Sequence, residues 1–274
     1  MKVIYRNFTK LLSIGAFNAE DMIEPMSEFK WNQLLKLSEF NNASVFIFSG
    51  IEKISKINTS IIPNAVITYS SNWLEQHGMD DMTKNGVDNL MSDSKIKNFS
   101  NIYLNAKFNR IVFNEIHSID TSIDSLKFLD LSIQNVRKIL ADDLNLLKII
   151  ELGCYLRQNG NRIDFIKVDG WLKKLQLVDM MNLIGCYLIC LFDFDEDEIP
   201  FFKKRIKNAT SNIYTFFDNS MRIIEIEESK SIDEFEKQEL KSDRIRVKYF
   251  TYFPIEVSSR LFSNIINRIS SIEE

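Results

Sequence analysis

Residues 121–140 read TSIDSLKFLDLSIQNVRKIL. Leu126, Leu129, Ile133, Val136 and Ile139 recur there at spacings of three and four. That spacing gathers them on one face of a helix and would scatter them over both faces of a strand. Thr121 followed three residues later by Asp124 resembles a capping box, whose side-chain oxygen accepts a backbone N–H that the first helical turn leaves unpaired.

The same periodicity extends to both sides. Upstream, Trp31, Leu34, Leu35, Leu37 and Phe40 predict a first well-formed helix over 27–40, and Ile102, Phe108, Ile111, Val112 and Ile116 predict another amphipathic one. Residues 45–54 are apolar enough for a short helix or a strand, 58–72 read as irregular around Pro63, and 77–94 read as polar and partly helical. Downstream, LNLLKIIELGCYL (144–156) is apolar on nearly every face and predicts a central helix, with Gly160 as its C-terminal breaker. Helices over 165–175 and 178–192 follow, Pro200 is placed to open one that runs to Phe217, and 221–227 alternates weakly enough for a short strand. Residues 228–246 are strongly charged, and Pro254 opens a final helix carrying Ile255, Val257, Leu261, Ile265 and Ile269. The expected fold is mainly α, a multi-helix globular array with at most one small strand pair or remnant sheet. Two regions are expected, 1–120 and 121–274.

Composition supports this. Only 8 glycines and 4 prolines leave few tight turns, which argues against a barrel, a sandwich or a Rossmann-type fold. The net charge of −4 makes nucleic acid an improbable partner. The basic spots are small: Lys203, Lys204, Arg205 and Lys207, then Arg244, Arg246 and Lys248. Cys154, Cys186 and Cys190 lie in apolar surroundings, as an odd set of reduced, buried thiols would. The run 11–17 contains Ser13 and Gly15 and lacks a cleavage site, and the apolar run 180–192 is too short for a bilayer. A cytoplasmic protein without a membrane span is expected.

The polar candidates carry little chemistry. The run Asp193–Glu198 lacks the glycine and distal glutamate of a calcium loop, and it reads as a link whose Asp197 and Glu198 favour the amino end of the next helix. His77 and His117 stand 40 residues apart outside any zinc motif. Cys186 and Cys190, four apart, read as core thiols, and Ser49-Gly50 has no nucleophile elbow around it. No glycine-rich phosphate loop exists. Trp31, Trp73 and Trp171 read as packing residues, and so do Tyr249, Phe250, Tyr252 and Phe253, although these four, flanked by Lys248, could form a base-stacking platform that with the Lys203 region would bind nucleic acid.

The runs 144–156, Asn161–Phe165 and WLKKLQL (171–177), with Glu198-Ile-Pro200-Phe and YFTYFPIEV (249–257), resemble the helical part of an uncharacterised nucleotidyltransferase family common in Bacteroidetes. Phe29-Lys-Trp31 through Leu37 is similar to the helix that precedes its catalytic domain. The likeness covers about a third of the chain, chiefly 144–204 and 248–270. It implies a Gly-Asp-x-Asp motif on adjacent strands, holding Mg²⁺ on nucleotide phosphates. None occurs between 55 and 140, and Glu151 stands where the family has Asp. No catalytic, cofactor-binding or metal residue carries over. The expectation is a non-catalytic protein on a nucleotidyltransferase-like scaffold, a pseudoenzyme acting by protein–protein interaction or regulation. The alternative is a divergent Mg-dependent nucleotidyltransferase for a small molecule or saccharide, taking NTP and drawing its carboxylates from Glu115, Asp120, Asp124 or Asp130.

Overall fold

Two glycines bring the first helices together. In the computed structural model, which describes residues 2–57, 61–77, 99–228 and 248–270, α1 (Val3–Phe17) runs antiparallel to α3 (Ser44–Ile57). A Cβ on Gly15 would meet the carbonyl oxygen of Phe46, and one on Gly50 the carbonyl oxygen of Leu11, both well inside 3.0 Å. The two backbones touch because neither residue has a side chain. Between them in sequence, α2 (Glu28–Phe40) buries Trp31, Leu34 and Leu37, and α4 (Asn64–His77) then packs on α3.

The chain continues through α5 (Ile102–Ile116), α6 (Ile123–Asp142), α7 (Leu146–Asn159), a 3₁₀ turn (Gly160–Arg162), α8 (Phe165–Lys174) and α9 (Val178–Phe192). A second 3₁₀ turn (Glu196–Glu198), α10 (Ala209–Glu228) and α11 (Pro254–Ser270) complete the described elements. α9 packs against α1, α7, α8 and α10 and buries eleven of its residues, and α7 packs in turn against α1, α6 and α9. Phe217 of α10 contacts Tyr5 and Phe8 of α1 at ring separations of 5.2 and 5.3 Å, so one buried core runs through both halves of the chain.

The fold is mainly α, and no strand occurs among the described residues. Val45–Ile54 and 221–227 are helical, so the small strand pair is not formed there. The second follows from Ile213, Phe217, Met221 and Ile224, buried at helical spacing across the whole of α10. Residues 64–77 are helix rather than irregular chain, because the Pro63 carbonyl accepts the first N–H groups of α4, from Val66 and Ile67. The first helix is α1, not 27–40.

Pro200 opens no helix. The segment 199–208 crosses α9 as a strap, its Ile199 and Phe201 buried. Its N–H groups are taken by side chains of α9: Lys203 donates to Asn182 Oδ1 at 2.8 Å and Ile206 to Cys186 Sγ at 3.2 Å. Helix hydrogen bonds therefore resume only at Ala209. Gly160 has φ −54°, so it continues into the 3₁₀ turn instead of closing α7 in a left-handed cap. Residues 78–94 and 229–246 of the charged and polar stretches lie outside the described residues.

α11 fixes the position of α5. Glu256 is fully buried, and its carboxylate accepts the backbone N–H groups of Ser100 (2.7 Å) and Asn101 (3.1 Å) as well as Arg260 Nε (2.9 Å). A negative group at a helix amino end satisfies donors that the helix itself cannot. Asn101 then caps α5 by accepting the N–H of Leu104.

Candidate functional site

The polar residues that gather most closely do so where α5, α6 and α8 meet. Glu115, in the last turn of α5, is buried because it continues the face of that helix that carries Leu104, Phe108 and Ile111 into the core. One carboxylate oxygen accepts both the Lys167 ammonium (2.9 Å) and the backbone N–H of Ser122 (2.8 Å). Lys167 also donates to the Asp120 carbonyl and lies 3.5 Å from the Asp120 carboxylate. The bond to Glu115 above all holds the Lys167 ammonium above its ordinary pKa. Ser125 Oγ accepts the Asp164 N–H at 2.8 Å, and Asp164 caps α8 by accepting from Ile166 and Lys167. An open recess of about 440 Å³ lies over this corner, lined by residues 120–124 with Arg162, Asp164 and Lys167.

Thr121 and Asp124 form no capping box. Thr121 Oγ1 donates to the carbonyls of Glu115 and Ser118, which closes the end of α5, and Asp124 accepts from the Tyr155 hydroxyl. Asp130 lies further along α6, accepting from Gln134 at 2.8 Å. Burial pushes its carboxyl up, and it does the same to Glu151, which accepts from Lys148 at 2.8 Å. Of the four acids of the catalytic alternative, Glu115, Asp120 and Asp124 surround one corner and Asp130 stands apart. They do not fit a divalent ion: Glu115 is spent on Lys167, and among the described residues no three His, Cys, Asp or Glu converge as metal ligands. The Ser122 and Ser125 hydroxyls bond to each other at 2.6 Å.

The remaining candidates are structural. Asp195 and Glu198 make a capping box on the 3₁₀ turn, Glu198 pairs with Arg157 at 2.9 Å, and Glu196 pairs with Arg205. Because α10 starts at Ala209, Asp197 and Glu198 are not at its amino end. His77 and His117 share one device: Nδ1 donates to the carbonyl four residues back while the imidazole lies against that residue's ring, Trp73 at 4.1 Å or Phe113 at 4.2 Å. Cys186 is buried and Cys154 half-buried, with both thiols pushed up by burial, but Cys190 is exposed, contrary to its reading as a core thiol.

Two of the four aromatic residues of the base-stacking reading point into the core. Tyr249 and Phe253 are fully buried, and the Tyr249 hydroxyl donates to Asp143, whose carboxylate also takes Lys248 at 3.1 Å. Lys203, Lys204 and Arg205 pair with Asp169, Asp179 and Glu196. No helix among the described residues is long and apolar enough to cross a membrane.

What the sequence reading missed is apolar. Around the Glu115–Lys167 corner and along α5, the side chains of Ile102, Tyr103, Phe113, Ile116, Ile119, Ile123 and Ile166 stand in solvent. The signal was present: α5 carries apolar residues at two helical phases, and a helix apolar on two faces needs a second neighbour. Comparison with protein-family models, with curated proteins and with solved structures finds no match to the chain. The likeness of 144–204 and 248–270 to a nucleotidyltransferase family therefore stands on helical packing patterns alone.

Proposed function

We propose that this chain is a non-catalytic helical protein that acts by binding a protein partner. The observation that carries the reading is the contrast at the α5–α6–α8 corner. Its buried carboxylate is committed to an internal ion pair, while seven large apolar side chains around it and along α5 are exposed. An apolar surface rimmed by polar residues is the usual mark of an interaction site, since leaving it in water forfeits its burial energy. The three free thiols are consistent with action in a reducing compartment such as the cytoplasm.

The competing reading is a Mg-dependent nucleotidyltransferase using Glu115, Asp120, Asp124 or Asp130. Calorimetric titration with ATP or GTP and Mg²⁺ decides between them. No saturable heat at millimolar nucleotide is expected. A saturable heat lost on replacing two of those acids would overturn the proposal. Affinity capture from native lysate is expected to recover a stoichiometric protein.

A further inference from the structure

The exposed face of α5 carries large apolar side chains that a surface helix does not need. Ile102, Ala106, Asn109, Phe113 and Ile116 are all exposed and follow one another at spacings of 4, 3, 4 and 3. Ile102, Phe113 and Ile116 are the large apolar members, and the spacing is the one by which positions d, a, d, a and d of a helix face a second helix. The seam is about 21 Å long at 1.5 Å per residue, or two heptads. Ile102 is 84% exposed, Phe113 62% and Ile116 59%, so the described chain does not cover it. The opposite phase, Leu104 and Ile111, is buried in the core. The helix is therefore already folded and held, with one seam turned outward. Asn109 near the middle is the kind of single polar seam residue that sets register at some cost in stability.

The flanks say what fits. On one side, Tyr103, Arg110 and His117 occupy the e positions, with the Lys107 ammonium 4.4 Å over the Tyr103 ring. Arg110 has no ion pair among the described residues. On the other side, Asn105 and Val112 occupy the g positions and bring no charge. A second copy of α5 is a poor match. Paired antiparallel about Asn109 it sets Arg110 against the same arginine, and paired parallel it sets Arg110 against Asn105. Neither arrangement supplies a carboxylate. From this geometry we infer that the outer face of α5 docks one amphipathic helix of a protein partner, apolar along its own a/d seam and acidic on the edge that meets Arg110. The inference rests on the protein-binding reading above and names the partner's chemistry.

The probe is a fluorescent 21-residue helical peptide with Leu at a and d and Glu at e and g, beside a counterpart with Lys replacing Glu. Anisotropy titration of the full chain at low ionic strength is expected to show saturable binding of the acidic peptide, at least about fivefold tighter than the basic one. Phe113→Asp and, independently, Ile116→Asp should each weaken it by more than about tenfold while leaving the circular dichroism unchanged, because both side chains are already in solvent. Arg110→Glu should reverse the preference between the two peptides. Absence of saturable binding, equal binding of both peptides, or binding that survives Phe113→Asp overturns the inference. So does dimerisation in sedimentation velocity that Phe113→Asp abolishes, which would make the occupant a second copy. A captured partner that still binds the Phe113→Asp chain would sink the α5 assignment and leave the protein-binding reading standing, whereas the nucleotide heat described above would sink that reading itself.

Discussion

Alanine at Gly15 tests the contact on which the N-terminal half is built. A methyl group there would have to stand at least 3.0 Å from the Phe46 carbonyl oxygen, and the present backbone separation denies it that by about 1 Å. The obstacle is main chain, so no rotamer change can relieve it and α1 must move off α3. Forced expansion of a packed interface costs about 1–3 kcal/mol. Against that, Gly to Ala inside a helix returns about 0.5–1 kcal/mol of backbone entropy. The net expectation for Gly15→Ala is a loss of roughly 0.5–2 kcal/mol. Gly170 in α8 is the internal control: nothing lies within 4 Å of its would-be Cβ, so Gly170→Ala keeps the entropic gain without the clash. At roughly 2–4 °C per kcal/mol for a chain near this size, the two variants should melt about 2–12 °C apart, on opposite sides of the parent. Far-UV circular dichroism melts and urea titrations read this directly. Gly15→Ala melting at or above the parent would refute the backbone contact. Rescue of Gly15→Ala by Phe46→Ala would show instead that the side chain, not the carbonyl, sets the spacing.

Three further outcomes follow from the polar groups. Lys167→Met should lower the melting temperature by leaving the buried Glu115 carboxylate with the Ser122 N–H as its remaining donor, and adding Glu115→Gln should then cost less than it does alone; strictly additive losses would show that the pair is not coupled. Burial raises the hydroxyls of Tyr5, to about 12, and of Tyr155, Tyr187 and Tyr249. Unfolded tyrosines ionise near pH 10, so above that pH the unfolded state binds fewer protons than the native one and stability falls as pH rises. Absorbance at 295 nm should therefore show these tyrosines ionising together with unfolding, and their gradual ionisation near pH 10 in a chain of native dichroism would contradict the burial. Finally, burial lifts the Asp130 carboxyl, so the native state holds that proton above the ordinary 3.8 and loses stability as pH rises through the lifted value. Asp130→Asn should compare more favourably with the parent at pH 7 than at pH 4 in urea midpoints, and the reverse order would count against it.

The sequence by itself determined the helices wherever one apolar stripe kept its period, as in Leu129, Ile133, Val136 and Ile139 of α6, because helical spacing is a local property of the chain. It misplaced boundaries where tertiary donors compete with the helix: Asn182 and Cys186 take the N–H groups after Pro200, and no residue near Pro200 announces it. It also divided α10 at Phe217, since Ile223, Ile224 and Ile226 alone alternate like a strand until Ile213 and Phe217 are added. The corner that carries the function proposed here was half legible. Its acids were visible as a cluster near residue 120, but Glu115 meets Lys167 across 52 residues, Tyr249 meets Asp143 across 106, and Glu256 reaches Ser100 across 156. Only the folded chain decides which charges neutralise each other, because an ion pair depends on separation in space. The same holds for α5. Its two apolar phases are written in the sequence, but the core had to claim Leu104 and Ile111 before the phase of Ile102, Phe113 and Ile116 could be recognised as the one left for a partner.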